Sequence, residues 1–213
     1  MKKIILFVII ISGLLFPQTI YDVTPGTKGN RIIISIENES EICEARNVEV
    51  KLTNSPPQLI FNHISQLIKI INGSEKKDAS FSFDIKRNVG SNKKDTIEFS
   101  IKGNGISLKK SFIIYYSAPK EYSLSQNFPN PFNPITTIRY DLPFDSKVSL
   151  KIYDTLGKKI ITLVEKEQSA GYKEIKFNGS SLASGVYIYR LTANNPANQN
   201  ASFVSIKKMM MIK

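Results

Sequence analysis

The sequence predicts an all-β protein made of two antiparallel sandwiches in tandem. Three observations carry that class: side chains alternate between apolar and polar along most of the chain, turn residues recur every eight to twelve positions, and no long helical period is present. In the first block, Ile32, Ile34 and Ile36 share one face, as do Val48, Val50 and Leu52, then Phe81, Phe83 and Ile85, then Ile97, Phe99 and Ile101. Their neighbours Glu49, Lys51, Ser82, Asp84, Glu98 and Ser100 fall on the other face. Period two with one wet face is the pattern of antiparallel strands covering a single core.

Between Ile101 and Ile106 lies Gly103-Asn104-Gly105, a tight-hairpin sequence in which Asn-Gly tolerates positive φ. Phe112 to Tyr116 closes the block as a final strand. Pro56-Pro57 marks a loop, because proline has no N–H to give a ladder. The segment Gln58 to Ile71 is ambiguous; its β-branched content and the adjacent Asn72-Gly73 favour strand and turn over helix. Six or seven strands across 31–118 suit an immunoglobulin-like sandwich. Ser117-Ala118-Pro119-Lys120 breaks the pattern, and a second series of strands occupies 119–213. Ile138, Tyr140 and Leu142 alternate with Thr137, Arg139 and Asp141, and Val148, Leu150 and Ile152 with Ser149, Lys151 and Tyr153. Further strands are expected at Lys159–Val164, Tyr172–Phe177, Val186–Leu191 and Ser202–Ile212, with turns between them that include Asn194–Asn200.

The start of the chain reads differently. Lys2 and Lys3 precede an apolar run from Ile4 to Phe16, the charged and apolar regions of a signal peptide. As a helix those thirteen residues reach only about 20 Å, short of the roughly 30 Å of a bilayer core. A cleaved signal over 1–19 is expected, with the cut between Phe16 and Ile20; an uncleaved anchor is the alternative. Residues 20–30, rich in Gly, Pro and Thr, read as a leader or linker. In the mature chain no permanent transmembrane segment is expected.

Composition narrows the function. The single cysteine, Cys43, excludes an internal disulfide and reads as a small buried or half-buried hydrophobe. The net charge of +11 is scattered through strands and turns rather than gathered into a stripe, which argues against nucleic acid and allows adhesion to an anionic surface. One histidine, His63, with no nucleophile motif near it does not make a triad, and one His with one Cys cannot hold zinc. Alternate acids such as Glu37, Glu39 and Glu41 read as a solvated strand face. No enzyme activity, metal or cofactor is expected; a small secreted hydrolase is the remote alternative.

The stretch Tyr122 to Pro134 (Y-S-L-S-Q-N-F-P-N-P-F-N-P), followed by Thr136-Thr137-Ile138-Arg139-Tyr140, resembles the opening of the type A C-terminal sorting domain of the type IX secretion system. Val148 to Gly157 resembles a central strand and turn of that family, Leu182 to Leu191 its G-V-Y motif, and Lys207 to Lys213 its basic-apolar-basic end. Two departures, Ile135 for a usual Thr or Ser and Phe177-Asn178-Gly179 for a turn that often holds Trp, keep size or apolar character. The region is also similar to the FlgD-type immunoglobulin-like domain of hook-capping proteins, a structural role without sorting.

The resemblance implies Sec export to the periplasm of a Gram-negative-type bacterium and reading by an outer-membrane translocon. It further implies removal of the domain by a sortase-type protease, and release or attachment of the remainder at the cell surface. Carried over by position, the reading residues are Pro129, Asn130, Pro131, Gly185, Tyr187, Lys208 and Lys213. The three prolines fix φ in a lead-in poor in donors, and the lysines bracket a terminal strand expected at a sheet edge, open to strand addition. Gly185 is expected either where a side chain would clash or merely at the start of a strand, with Tyr187 and Tyr189 packing their rings and keeping their hydroxyls wet. The preceding sandwich is expected to serve a structural or adhesive role, with a surface glycan or protein as ligand; the alternative is an accessory domain with no activity of its own.

Overall fold

The computed structural model describes residues 20–197 and 202–213; the signal expected over 1–19 and part of the turn expected over Asn194–Asn200 lie outside them. Every regular element among the described residues is a strand. The chain divides into two compact units, one running to Lys86 and resuming over Lys93–Tyr116, the other formed by Ser117–Lys213 with Arg87–Asn92.

The first unit contains β1 (Ile20–Val23), β2 (Asn30–Glu37), β3 (Ala45–Asn54), β4 (Leu59–Phe61), β5 (Ser65–Ile71), β6 (Lys76–Ile85), β7 (Lys93–Gly103) and β8 (Ile106–Tyr116). They form a five-stranded sheet in the order β1-β8-β7-β3-β5 and a three-stranded sheet in the order β2-β6-β4. The predicted alternation sets the core: Ile32, Ile34, Phe81 and Phe83 of one sheet are buried together with Val48, Val50, Ile97 and Phe99 of the other. Phe81 and Phe99 meet across the sandwich with ring centroids 4.8 Å apart. Each such ring removed from water contributes roughly 1.5–3 kcal/mol. Between β7 and β8 the turn takes φ 48° at Asn104 and 77° at Gly105, the double positive φ that only Asn-Gly pairs adopt readily.

Three expectations change in this unit. Ile20–Val23 is not leader: it pairs in parallel with Ile113–Tyr116, because its apolar and β-branched side chains fit the free edge of β8. Ser100, expected on the wet face, is buried. Cys43 is exposed, because the turn that holds it leans on polar bonds: its N–H donates to Ser40 Oγ (2.9 Å) and its carbonyl accepts from Asn38 Nδ2 (2.7 Å).

The second unit contains β9 (Ser123–Leu124), β10 (Ile135–Leu142), β11 (Ser146–Tyr153), β12 (Lys159–Gln168), β13 (Gly171–Asn178), β14 (Gly185–Asn194) and β15 (Ser202–Met211). A three-stranded sheet in the order β13-β10-β9 faces a four-stranded one in the order β12-β11-β14-β15. Ile138, Tyr140 and Leu142 bury one side of the core, and Val148, Leu150, Ile152, Tyr189, Leu191, Met209 and Met211 the other. Arg87–Asn92 counts with this unit because the Arg87 guanidinium pairs with Asp141 and lies 5.2 Å from the Tyr172 ring centroid. As expected, β15 is an edge strand, the last of its sheet, and it pairs along its full length with β14.

Candidate functional site

In the lead-in, Pro129, Pro131 and Pro134 have no N–H, so its few backbone donors must be placed with care. Phe128 N–H donates to Thr137 O (3.0 Å) and Thr137 N–H donates back (2.9 Å), a one-residue bridge to β10. The Phe128-Pro129 and Asn130-Pro131 peptide bonds are both cis.

Beneath this turn lies a buried polar knot. Asn127 and Thr136 are buried, and the Tyr189 side chain is fully enclosed. Asn127 N–H donates to the Tyr189 hydroxyl (2.8 Å), which itself donates to Ser125 O (2.8 Å). Asn127 Nδ2 donates to Thr136 Oγ1 (2.9 Å) and Pro129 O (3.0 Å), and Thr136 Oγ1 donates to Pro129 O (2.8 Å). Gln126 Nε2 donates to Asn127 Oδ1 (2.7 Å), so both ends of the Asn127 amide are occupied. Burial pushes the Tyr189 hydroxyl up to about 12, and the same cause raises Tyr140 to about 12, where it donates to Gln168 Oε1 (2.9 Å).

The lead-in then clasps the last strand. Gln126 Nε2 donates to Lys208 O (2.6 Å), and Met210 N–H donates to Asn130 Oδ1 (2.9 Å). Phe132 N–H donates to Met210 O (2.9 Å) and Ile212 N–H to Phe132 O (3.0 Å), a short parallel bridge. The Phe132 ring is 1% exposed and sits 6.1 Å from Phe177. Gly179 makes room for it: a Cβ there would lie 2.7 Å from Met211 Sδ and 3.1 Å from Phe132 Cε2.

The expected reading residues divide into surface and support. Pro129, Asn130, Pro131, Gly185, Lys208 and Lys213 are exposed, and Phe128 beside them is 79% exposed. Tyr187 is buried, its hydroxyl donating to Ala183 O (3.0 Å), and Tyr189 is enclosed; each hydroxyl, expected to bond water, donates to a backbone carbonyl instead. A Cβ at Gly185 would meet open space, so no clash explains that glycine; it starts β14 opposite Met211. The outer edge of β15 is not free throughout, because Gln126, Asn130 and Phe132 already occupy it from Lys208 onward. Reading the sequence missed Gln126, Asn127, Phe132 and Thr136 as the parts that join lead-in to tail. The only signal was the crowding of amides and prolines in Q-N-F-P-N-P-F-N-P. His63 stands apart on the first unit, exposed, its Nε2 2.8 Å from Ser80 O and its ring stacked on Phe81.

The second unit is thus an all-β domain whose lead-in and terminal strand present one continuous patch. Residues 126–207 match the family of secretion system C-terminal sorting domains. Over those residues the chain carries a C-terminal sorting domain of the type IX secretion system. Such a domain implies interaction with the secretion machinery and a secreted or cell-surface fate. No helix among the described residues is long and apolar enough to cross a membrane.

Among solved structures the chain is similar to dimeric latent PorU from Porphyromonas gingivalis, at 15% identity and a TM-score of 0.36 over 92% of this chain. It spans 19% of the length of that PorU chain. It is also similar to the calcium binding domain CBD12 of CALX1.1, at 8% identity and a TM-score of 0.35 over 84% of this chain and 79% of that one. The likeness to CBD12 from CALX1.2 is 10% identity and a TM-score of 0.38, over 85% and 80% of the two chains. No curated protein matches the chain.

Proposed function

We propose that the export machinery reads the second unit as a folded surface rather than as a linear tail. A Sec-type signal within 1–19 delivers the chain to the periplasm of a Gram-negative-type bacterium, where an outer-membrane translocon engages Pro129, Asn130 and Pro131 together with Lys208 and Lys213. A sortase-type protease then removes the domain, and the first unit is released or fixed at the surface as a non-catalytic structural or adhesive module. Tyr187 and Tyr189 support this patch from beneath. The observation behind the reading is the clasp: bonds from Gln126, Asn130 and Phe132 to Lys208, Met210 and Ile212 make one epitope of two segments about eighty residues apart.

The test is localisation in a host that has the type IX machinery. Three chains are compared: the full chain, a chain lacking Lys207–Lys213, and a chain with Lys208→Glu and Lys213→Glu, which alters exposed charge and leaves the clasp bonds in place. Both altered chains are expected to remain in the periplasm while the full chain reaches the surface. Equal distribution of all three defeats the proposal and returns the unit to a FlgD-type structural role.

A further inference from the structure

The first sandwich is incomplete along one side. Strand β1 covers β8 only over Ile113–Tyr116, so the half of β8 from Ile106 to Phe112 has β7 on one flank and, among the described residues, no strand on the other. Strand β2 ends its own sheet, with β6 as its one neighbour among the described residues. Along β8 the inward side chains are Phe112, Ile114 and Tyr116, all buried. Lys110, Leu108 and Ile106 share their parity, yet Lys110 is only half-buried and Leu108 and Ile106 are 43% and 61% exposed. The opposing sheet does not extend over them.

The gap is a groove of about 660 Å³, with Ile36, Val48, Ile71, Ile101, Ile106 and Leu108 on its walls. That size falls within the roughly 300–1,000 Å³ of sites that enclose a ligand. No aromatic ring lines it, so a sugar finds no face to stack on. The two charged residues that line it are both acids, Glu37 and Glu39, at one end; Glu37 also holds Lys76 at 3.1 Å. Two strand edges, one on each sheet, border an apolar slot.

We propose that this groove takes up an extended strand of another polypeptide. Apolar side chains at alternate positions of that strand enter the slot, its backbone bonds to a free strand edge, and a lysine or arginine at one end lies against Glu37 and Glu39. Strand addition supplies what the site lacks: backbone partners for unpaired edge groups, and a cover for apolar side chains left in water. The polar side chains between the apolar ones stay outside, as the period of two requires. This deepens the adhesive reading of the first unit and is separate from the sorting role of the second.

The test uses the purified full chain and a labelled peptide, Lys-Ile-Thr-Val-Thr-Leu-Thr-Ile-Lys. One control has the same composition with its apolar residues in a single block, and another has glutamate in place of both lysines. Anisotropy is expected to show the alternating peptide bound at least about ten-fold more tightly than either control. Leu108→Arg and, as a second variant, Ile106→Lys are expected to weaken it by about ten-fold with an unchanged far-UV spectrum. Hydrogen exchange should slow on binding at Ile106–Lys110 and in β2. Equal binding of all peptides, no binding of any, or protection elsewhere overturns the proposal. Self-association of the chain with that same protection also overturns it, making a second copy the occupant. Localisation of Leu108→Arg keeps the two readings apart: surface delivery with lost peptide binding leaves the sorting role untouched.

Discussion

Tyr189→Phe isolates the polar knot from the packing around it. The change keeps the ring, which is fully buried, and removes only the hydroxyl that accepts from Asn127 N–H and donates to Ser125 O. Two backbone groups lose their partner, and the Asn127 N–H lies where water does not reach. An orphaned buried group costs about 1–3 kcal/mol, and the Ser125 carbonyl lies on an exposed residue, so the change should cost about 1–3 kcal/mol, most of it from Asn127 N–H. Against a typical domain stability of about 5–15 kcal/mol, and with a urea slope of about 2 kcal/mol/M, the second unit should unfold at roughly 0.5–1.5 M lower urea. With no tryptophan in the chain, the two units are best followed by hydrogen exchange read through mass spectrometry of unit-specific peptides. Peptides from 122–134 and 202–213 should lose protection at lower urea, while those from β6 and β7 keep theirs as an internal reference. A loss below about 0.5 kcal/mol, within the range of ordinary surface changes, would refute the tie between hydroxyl and lead-in. So would an equal loss in the first unit.

Three further outcomes follow from the same geometry. Phe132→Ala should destabilise the second unit by about 3–5 kcal/mol in urea unfolding, the cost of emptying a ring-sized site in a core. Gly179→Ala should cost about 1–3 kcal/mol through crowding against Met211 and Phe132, and Met211→Ala in the same chain should recover part of that cost in a double-mutant cycle. The third outcome concerns pH. Tyr140 and Tyr189 are raised by burial from 10 to about 12, so the fold favours their neutral forms. Their contribution is complete below pH 10 and is lost as pH climbs toward 12, by roughly 2–3 kcal/mol for each group. The Tyr189→Phe chain should show the shallower decline between pH 10 and 12; parallel curves would contradict the assignment.

The sheets were legible wherever one face of a strand is wet and the other dry. Ile32, Ile34 and Ile36, or Val148, Leu150 and Ile152, declare both the element and its inward face, and Gly103-Asn104-Gly105 declares the hairpin, because all three signals are local. What stayed hidden depends on partners far away in the chain. Strand β1 has only four residues and pairs with Ile113–Tyr116, a register that no short window contains. Strand β12 shows the opposite failure: Ile160 and Ile161 look like core but are exposed; a bulge leaves Ile160 without a partner on β11, while Ile161 pairs with the buried Ile152 on the outermost strand of the sheet, and Val164 is the one buried side chain of β12.

The candidate site was half legible. Its surface members announce themselves as a run of prolines and amides and as terminal lysines. Its working bonds run through the backbone of Phe132 and Met210, and backbone groups carry no residue-type signature. The Tyr187 and Tyr189 hydroxyls read as wet for a related reason: only the fold reveals that Ala183 and Ser125 stand within their reach.

The clasp also has a bearing on the order of synthesis. The ribosome delivers Asn130 and Phe132 long before Met210 and Ile212, and until those arrive the amide and backbone groups of the lead-in lack their partners. A message cut short, or a chain nicked upstream of Met210, produces the proline segment without the geometry that holds it. An export apparatus that recognises the assembled patch would therefore pass over unfinished copies, and the address label would double as a check on the completeness of what it is attached to.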